Sequence, residues 1–428
     1  MSDTRPIPPV PPTPSVQVTK GDWQKMGFWS FQHVDKLLRT VNIPRNHGKE
    51  AELKWAQSVD RNEILHKIDV QLADNDRWTV RQIIDATDTD GWMVLHDGEV
   101  VVEEYPRMSA GTRHLLMSVS KSLTATVAGT LVDDKTINPD LEVTHYVPDL
   151  KSSGYVGATV RQVLDMVSDV EFSEDYFDTN SGVREMEAAC DWTPLPRPDA
   201  PKTLKEFLRG VTAQGLGHGG RFEYRSCETN VLGWVCEAAY TMRYNTDKPF
   251  ADLASELLWS KLGAEFDAYI PVDSEGTATF DAGFCVTLRD LARFGAMICR
   301  NGKSLRDDQQ VVSQEWVDDI FTGGDDSEKA FKRGPKYDQL KMPKGKYRSM
   351  FWSPTRDRNV VVCIGIHGQM IYINRATQTV GVKLSSWALA EEEWKGAWKG
   401  FSALWMFDAI SKHLDKSASR TPAGAASR

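Results

Sequence analysis

The chain has 428 residues, 41% of them hydrophobic and 26% charged, with a formal net charge of −9. That is enough apolar content for one large soluble domain or two ordinary ones, and the acidic balance argues against nucleic acid as the main partner, since phosphate binding needs a basic face. No run of 18 apolar residues exists, so no membrane span is expected. The nine histidines form no metal-ligand pattern, and the six scattered cysteines lack C-x-x-C spacing. They read as free thiols of a reducing compartment, and a cytoplasmic protein is expected.

Residues 1–17 are proline-rich without an apolar signal region, and read as a tail. Residues 415–428 read as a second, flexible tail, leaving a single domain over 18–414 with a helical lobe at roughly 119–285. The first strong element is 91–105, where Asp97-Gly98 separates two β-rich runs and predicts a hairpin. Residues 118–133 carry Leu123, Val127 and Leu131 at four-residue spacing, one buried helical stripe. Further helices are expected at 160–166, 231–240, 251–262 and 289–300. Three strands follow at 360–366, 369–374 and 379–386, then a last helix from about 391 to 414 with Trp394, Trp398, Phe401 and Trp405 as its apolar stripe. The simplest assembly joins the first hairpin and the last strands into one antiparallel sheet, with the terminal helix on one face and the helical middle as a second lobe across a cleft.

Ser118-Val119-Ser120-Lys121 is the one S-x-x-K match in the chain, and it lies at a predicted helix start. The spacing puts hydroxyl and amine on one face. A desolvated lysine can lose its proton and activate a serine without any histidine. A helix N-terminus also offers backbone N–H groups to an oxyanion. The alternatives are a helix cap for Ser118 and a solvated surface lysine for Lys121. Tyr224, just before the helix containing Trp234, could relay a proton beside such a pair, its own pKa lowered by the cation. From the residues alone, packing at a lobe interface is the simpler account of Tyr224. Gly365-Ile366-His367-Gly368 permits close backbone approach to a substrate carbonyl, or is a tight strand connection. Gly215-Leu216-Gly217-His218-Gly219-Gly220 matches G-x-G-x-x-G but lacks the following helix, and reads as a loop. G-x-S-x-G is absent, which disfavours an α/β-hydrolase.

These segments, in this order, resemble the serine β-lactamase/penicillin-binding-protein superfamily, in the branch of class C β-lactamases and related carboxylesterases, with the nearest likeness to the 6-aminohexanoate-dimer (nylon-oligomer) hydrolases. The resemblance extends over most of residues 90–387. It rests on the stretch from Arg113 through the Ser-Val-Ser-Lys run to Leu123, on Glu174-Asp175-Tyr176 and Phe222-Glu223-Tyr224, and on the segments at 143–150, 289–293, 364–369 and 382–387. It implies a β-lactamase/transpeptidase-like fold: α/β plus an all-α lobe, with a central antiparallel sheet flanked by helices. It implies Ser118 as nucleophile, neutral Lys121 as general base and Tyr224 as proton relay, with an oxyanion hole from the N–H of Ser118 and one near Ile366. Tyr176 would close over the substrate amide, Glu187 would meet a substrate amine, and Asp281 would line the pocket. Ile366-His367-Gly368 replaces the usual lysine-led third motif, and Tyr224-Arg225-Ser226 lacks the usual asparagine.

The implied activity is hydrolysis of small linear amides or esters through an acyl-enzyme, with no metal or organic cofactor. A broad carboxylesterase or a weak β-lactamase of the same fold is the alternative, and a non-catalytic binding paralogue the more distant one. The implied partner is a small-molecule amide or ester, with neither nucleic acid nor membrane; a homodimer is left open.

Overall fold

The computed structural model describes residues 27–418, apart from 47, 73–75, 336–341, 343–344, 356, 392 and 395–396. The proline-rich segment 1–17 and the chain beyond 418 therefore lie outside the described residues. The expected hairpin is present as β1 (Thr89–His96) and β2 (Glu99–Glu104). Asp97 and Gly98 both take positive φ, 49° and 79°, as a two-residue hairpin turn of matching twist requires. Two short strands missed in the sequence, β3 (Lys346–Arg348) and β4 (Phe351–Ser353), precede the three expected ones, β5 (Val360–Gly365), β6 (Gln369–Asn374) and β7 (Thr379–Ser385). They form a seven-stranded sheet of order β2-β1-β7-β6-β5-β4-β3. Its pairings are antiparallel, so the first hairpin docks on the last strand.

Four helices position this sheet and the cleft: α1 (Ser120–Asp133), α2 (Ser226–Tyr244), α3 (Leu288–Cys299) and α4 (Gly400–Ala418). On one face α3 packs against β1, β6 and β7, and on the other α4 packs against β6 and β7. The alternation of the strands explains this. Ile371 and Val380 point to Gly295 of α3, whereas Tyr372 and Gly381 point to Phe407 of α4. The terminal helix starts later than expected. Glu393–Trp394 pairs antiparallel with Ala397–Trp398, and the helix begins only at Gly400. Trp394 and Trp398 therefore do not belong to the helix of Phe401 and Trp405.

Helix α1 is buried on every side from Ser120 to Leu131. Leu123, Val127 and Leu131 are fully buried, each worth about 1.5–3 kcal/mol relative to exposure. A helix buried all round is a central one, and α2 packs along it to found the helical lobe. The lobe continues through Val160–Leu164, Gly182–Ala189 and Leu204–Gly210. The stretch expected at 251–262 runs through Phe250–Ala254, a wider turn at Ser255–Trp259, and Ser260–Leu262. All six cysteines are free and buried. Among the described residues no helix is long and apolar enough to cross a membrane.

The G-x-G-x-x-G match is a loop, and 221–225 after it belong to no strand. The N–H groups of Leu216 and Gly217 donate to the Asp169 carboxylate at 2.5 and 2.7 Å. An internal anion thus fills the cradle that the glycines form.

Candidate active site

Ser118 sits in a single tight turn, Met117–Val119, which leads directly into α1. The turn hangs from a small four-stranded sheet through His114–Leu115, paired with Cys285–Val286. Met117 takes a positive φ of 47°, a conformation that an unbranched non-glycine residue adopts only when its surroundings hold it there. The first N–H groups of such a turn have no partner within the helix, and that of Ser118 is among them by position.

Lys121 lies three residues on, one turn below. Its Nζ is 2.9 Å from Ser118 Oγ, 3.2 Å from the Asp281 carbonyl and 3.5 Å from the Asp281 carboxylate. Neither Ser118 nor Lys121 is a cap or a surface residue: Ser118 is 8% exposed and Lys121 is fully enclosed. The third member, Tyr224, comes from the segment just before α2. Its ring lies under Lys121 Nζ at 5.2 Å, and its hydroxyl hydrogen-bonds with Ser118 and Lys121. Trp352 stacks on the same ring at 5.3 Å and Tyr347 meets it edge-on at 6.0 Å, so β3 and β4 fix its plane.

Burial and neighbouring charges act on this group in opposite directions. Burial drives Lys121 toward the neutral form, but Tyr224, Asp281 and Glu174 together outweigh it, and its pKa is raised. The charges that face Lys121 thus favour its ammonium form. Burial likewise raises the Tyr224 pKa more than Lys121 lowers it. Burial also pushes Asp281 up against the pull of Lys121, and Glu174 acts in the same direction as burial. Asp281 is held by Asn230 of α2, whose amide donates to its carboxylate at 3.0 Å and accepts its N–H at 3.2 Å. The sequence reading gave no role to Glu174 or Asn230. Glu174 accepts from Tyr176 Oη at 2.6 Å and from the N–H and Oγ of Ser226 at 2.8 and 2.6 Å, tying the Tyr176 loop to the start of α2. No local spacing announces contacts that span 52 residues.

A cleft of about 860 Å³, open on one side, brings together Ser118, Tyr176, Glu187, Asp281, Ile366 and His367. All eight residues singled out from the sequence thus lie in or against one site. Ile366 and His367 form the connection between β5 and β6. His367 has φ 60° and is pinned from several sides. Its N–H donates to the Ala390 carbonyl at 2.9 Å, its Nδ1 bonds the Trp387 carbonyl at 2.7 Å, and its ring meets Phe31 edge-on at 5.1 Å. The Ile366 carbonyl accepts from Gln369 at 3.3 Å. Glu187 does not stand alone: Arg184, which sequence reading passed over, forms an ion pair with it at 2.5 Å. Their three-residue spacing on an amphipathic stretch was the available signal.

A hydroxyl beside an amine, with a phenol bonded to both, can pass a proton from oxygen to nitrogen and on to a leaving atom. The fold and this constellation define a member of the beta-lactamase family, whose family model matches residues 79–399; the chain belongs to that family. It is 35% identical over 403 residues to a 6-aminohexanoate-dimer hydrolase of Paenarthrobacter ureafaciens, covering 93% of this chain and 94% of that one. A Bacillus anthracis structure provisionally named a 6-aminohexanoate-dimer hydrolase superposes with a TM-score of 0.80 at 24% identity, covering 93% of this chain and 97% of the other. A family VIII carboxylesterase shares the fold more distantly, with a TM-score of 0.54 at 15% identity over 76% and 92% of the two chains.

Proposed function

We propose that the chain is a serine hydrolase of small linear amides or esters, similar in activity to 6-aminohexanoate-dimer hydrolases, and that it works through an acyl-enzyme. The observation that carries this reading is the 2.9 Å contact of Lys121 Nζ with Ser118 Oγ at the floor of the cleft, inside hydrogen-bonding reach of Tyr224. The reactive form is the one in which the Lys121 ammonium has released its proton. Ser118 Oγ then bonds the substrate carbonyl carbon and its proton passes to Lys121 Nζ. Asp281 stabilises the ammonium that re-forms. The N–H of Ser118 and a main-chain N–H at Ile366 hold the oxyanion, a contribution of about 3 kcal/mol per donor in other enzymes. As the bond to the leaving nitrogen or oxygen breaks, the proton travels through the Tyr224 hydroxyl to that atom. Water repeats the steps on the acyl-enzyme and releases the acid. Tyr176, lining the cleft, packs over the bound amide. The free, buried cysteines support a reducing compartment such as the cytoplasm.

The test compares turnover of p-nitrophenyl esters and linear amides by wild type and Ser118→Ala. A fluorophosphonate adduct, seen as a mass shift on the Ser118 peptide, reads the nucleophile directly. Activity retained in Ser118→Ala, with no adduct on wild type, would sink the proposal.

A further inference from the structure

Phe31 lies on the short helix Phe28–Gln32, more than 80 residues ahead of Ser118 in the chain. Its ring is buried behind the cleft and does not line it. One face stacks on the His114 imidazole at 5.6 Å, and the ring meets the His367 imidazole edge-on at 5.1 Å. His114 is itself fixed, with Nε2 3.0 Å from the Asp90 carboxylate and Nδ1 2.8 Å from the Leu115 carbonyl. The helix is tied to the same group of residues. Gln32 Nε2 donates to the Arg107 carbonyl at 2.9 Å, and Arg107 Nε is 2.9 Å from Asp90.

The two imidazoles belong to opposite sides of the proposed oxyanion hole. His114 begins the strand that leads into the Ser118 turn. That side is tied down by backbone, with Leu115 opposite Cys285 and the Leu116 N–H donating to the Phe284 carbonyl at 2.9 Å. His367 follows Ile366, and its bonds to the Trp387 and Ala390 carbonyls fix it to the segment after β7. Those bonds do not set its distance from Ser118. A ring that fills the space between two pinned imidazoles does, because a close-packed interior leaves no slack around it. A smaller side chain leaves a void into which the surroundings relax. We propose that Phe31 is a positioning residue for the hydrolysis, its ring holding the Ile366 connection at the distance from Ser118 that the oxyanion needs. The proposal rests on the hydrolase reading and adds to it a residue outside the cleft.

The experiment compares Phe31→Leu and Phe31→Ala with wild type on a p-nitrophenyl ester. Active enzyme is counted by fluorophosphonate labelling of Ser118 carried to completion, so that a loss of folded protein is not read as a loss of rate. Per labelled site, kcat is expected to fall by about tenfold in Phe31→Leu and further in Phe31→Ala, toward the 100-fold scale of a 1 Å misplacement. KM is expected to stay within about threefold of wild type, as for an interaction realised in the transition state. The pH at which kcat/KM rises is expected to stay in place, because Lys121 and Tyr224 are untouched. Gln32→Ala loosens the helix that carries Phe31 and is expected to lower kcat in the same direction; it decides the matter if both ring variants fail to fold. Wild-type kcat per site in a folded Phe31→Ala, or in Gln32→Ala where neither ring variant folds, overturns the proposal. So does a rise in KM alone or a displaced pH profile, and each of these leaves the hydrolase reading intact. No turnover and no Ser118 adduct in wild type overturns the hydrolase reading and this inference with it.

Discussion

Gly365, the last residue of β5, runs so close to Leu116 that a Cβ on it would stand 2.7 Å from the Leu116 carbonyl oxygen. Backbone on backbone leaves nothing flexible to move aside. The contact joins the strand that leads into Ile366 to the turn that carries Ser118, so the two groups proposed to hold the oxyanion are spaced by a hydrogen where any other residue would put a methyl.

Gly365→Ala is therefore expected to push β5 from the Ser118 turn by a sizeable fraction of an ångström and to lower kcat by about 100-fold, the scale of a 1 Å misplacement in an active site. Steady-state kinetics on an ester, beside circular dichroism to establish folding, measures this. Wild-type kcat in a folded Gly365→Ala would show that the spacing has no bearing on turnover.

The raised pKa of Lys121 has a kinetic signature. If the reactive form is the neutral amine, kcat/KM rises by about tenfold per pH unit across the neutral and mildly alkaline range. Asp281→Asn removes one of the charges that hold the proton on Lys121, so the rise is expected to move to lower pH. A pH–rate profile for both proteins decides the matter. A flat wild-type profile between pH 6 and 9, or a shift to higher pH in the variant, contradicts the assignment.

Lys383 of β7 is fully buried, and burial lowers its pKa to about 7, helped by Lys399 and Arg107 and opposed by Asp90 and Asp88. Its Nζ donates to the Thr87 carbonyl at 3.2 Å and to Ser385 Oγ. Between pH 7 and the ordinary lysine value of about 10.4 the unfolded chain binds more protons than the folded one, so this group makes stability rise with pH. Below pH 7 the penalty for charging it is complete. Glu228, raised to about 8 by burial, works oppositely, since the folded chain holds its proton longer. The contribution of Lys383 is thus read against Lys383→Met, whose advantage over wild type in urea midpoint is expected to shrink from pH 6 to pH 10. A constant or growing difference would exclude a neutral buried amine.

Elements with a strict period were legible in the sequence. The Asp97-Gly98 hairpin and the strands around Arg375 follow from alternation and turn chemistry, and the core stripe of α1 from four-residue spacing. The stripe from Trp394 to Trp405 satisfied the same spacing, yet Trp394 and Trp398 lie in a short strand pairing and the helix starts only at Gly400. Strands β3 and β4, at three residues each, are too short to carry a period. Within the site, Ser118 and Lys121 share one turn of chain and could be paired by spacing alone. The role suggested for Tyr224 needed the family resemblance, because 103 residues separate it from Lys121. The charges that face Lys121 escaped the sequence for a physical reason. Burial alone argues for a neutral amine, while the opposing carboxylates arrive from Glu174 and Asp281, far along the chain in either direction.

The docking of β1 on β7, with Trp92 opposite Lys383, fixes an order of events during synthesis. The strand that completes the sheet leaves the ribosome after nearly everything else has been made. A chain halted before Thr379 would carry the first hairpin with one long edge unsatisfied, open to pairing with another nascent copy.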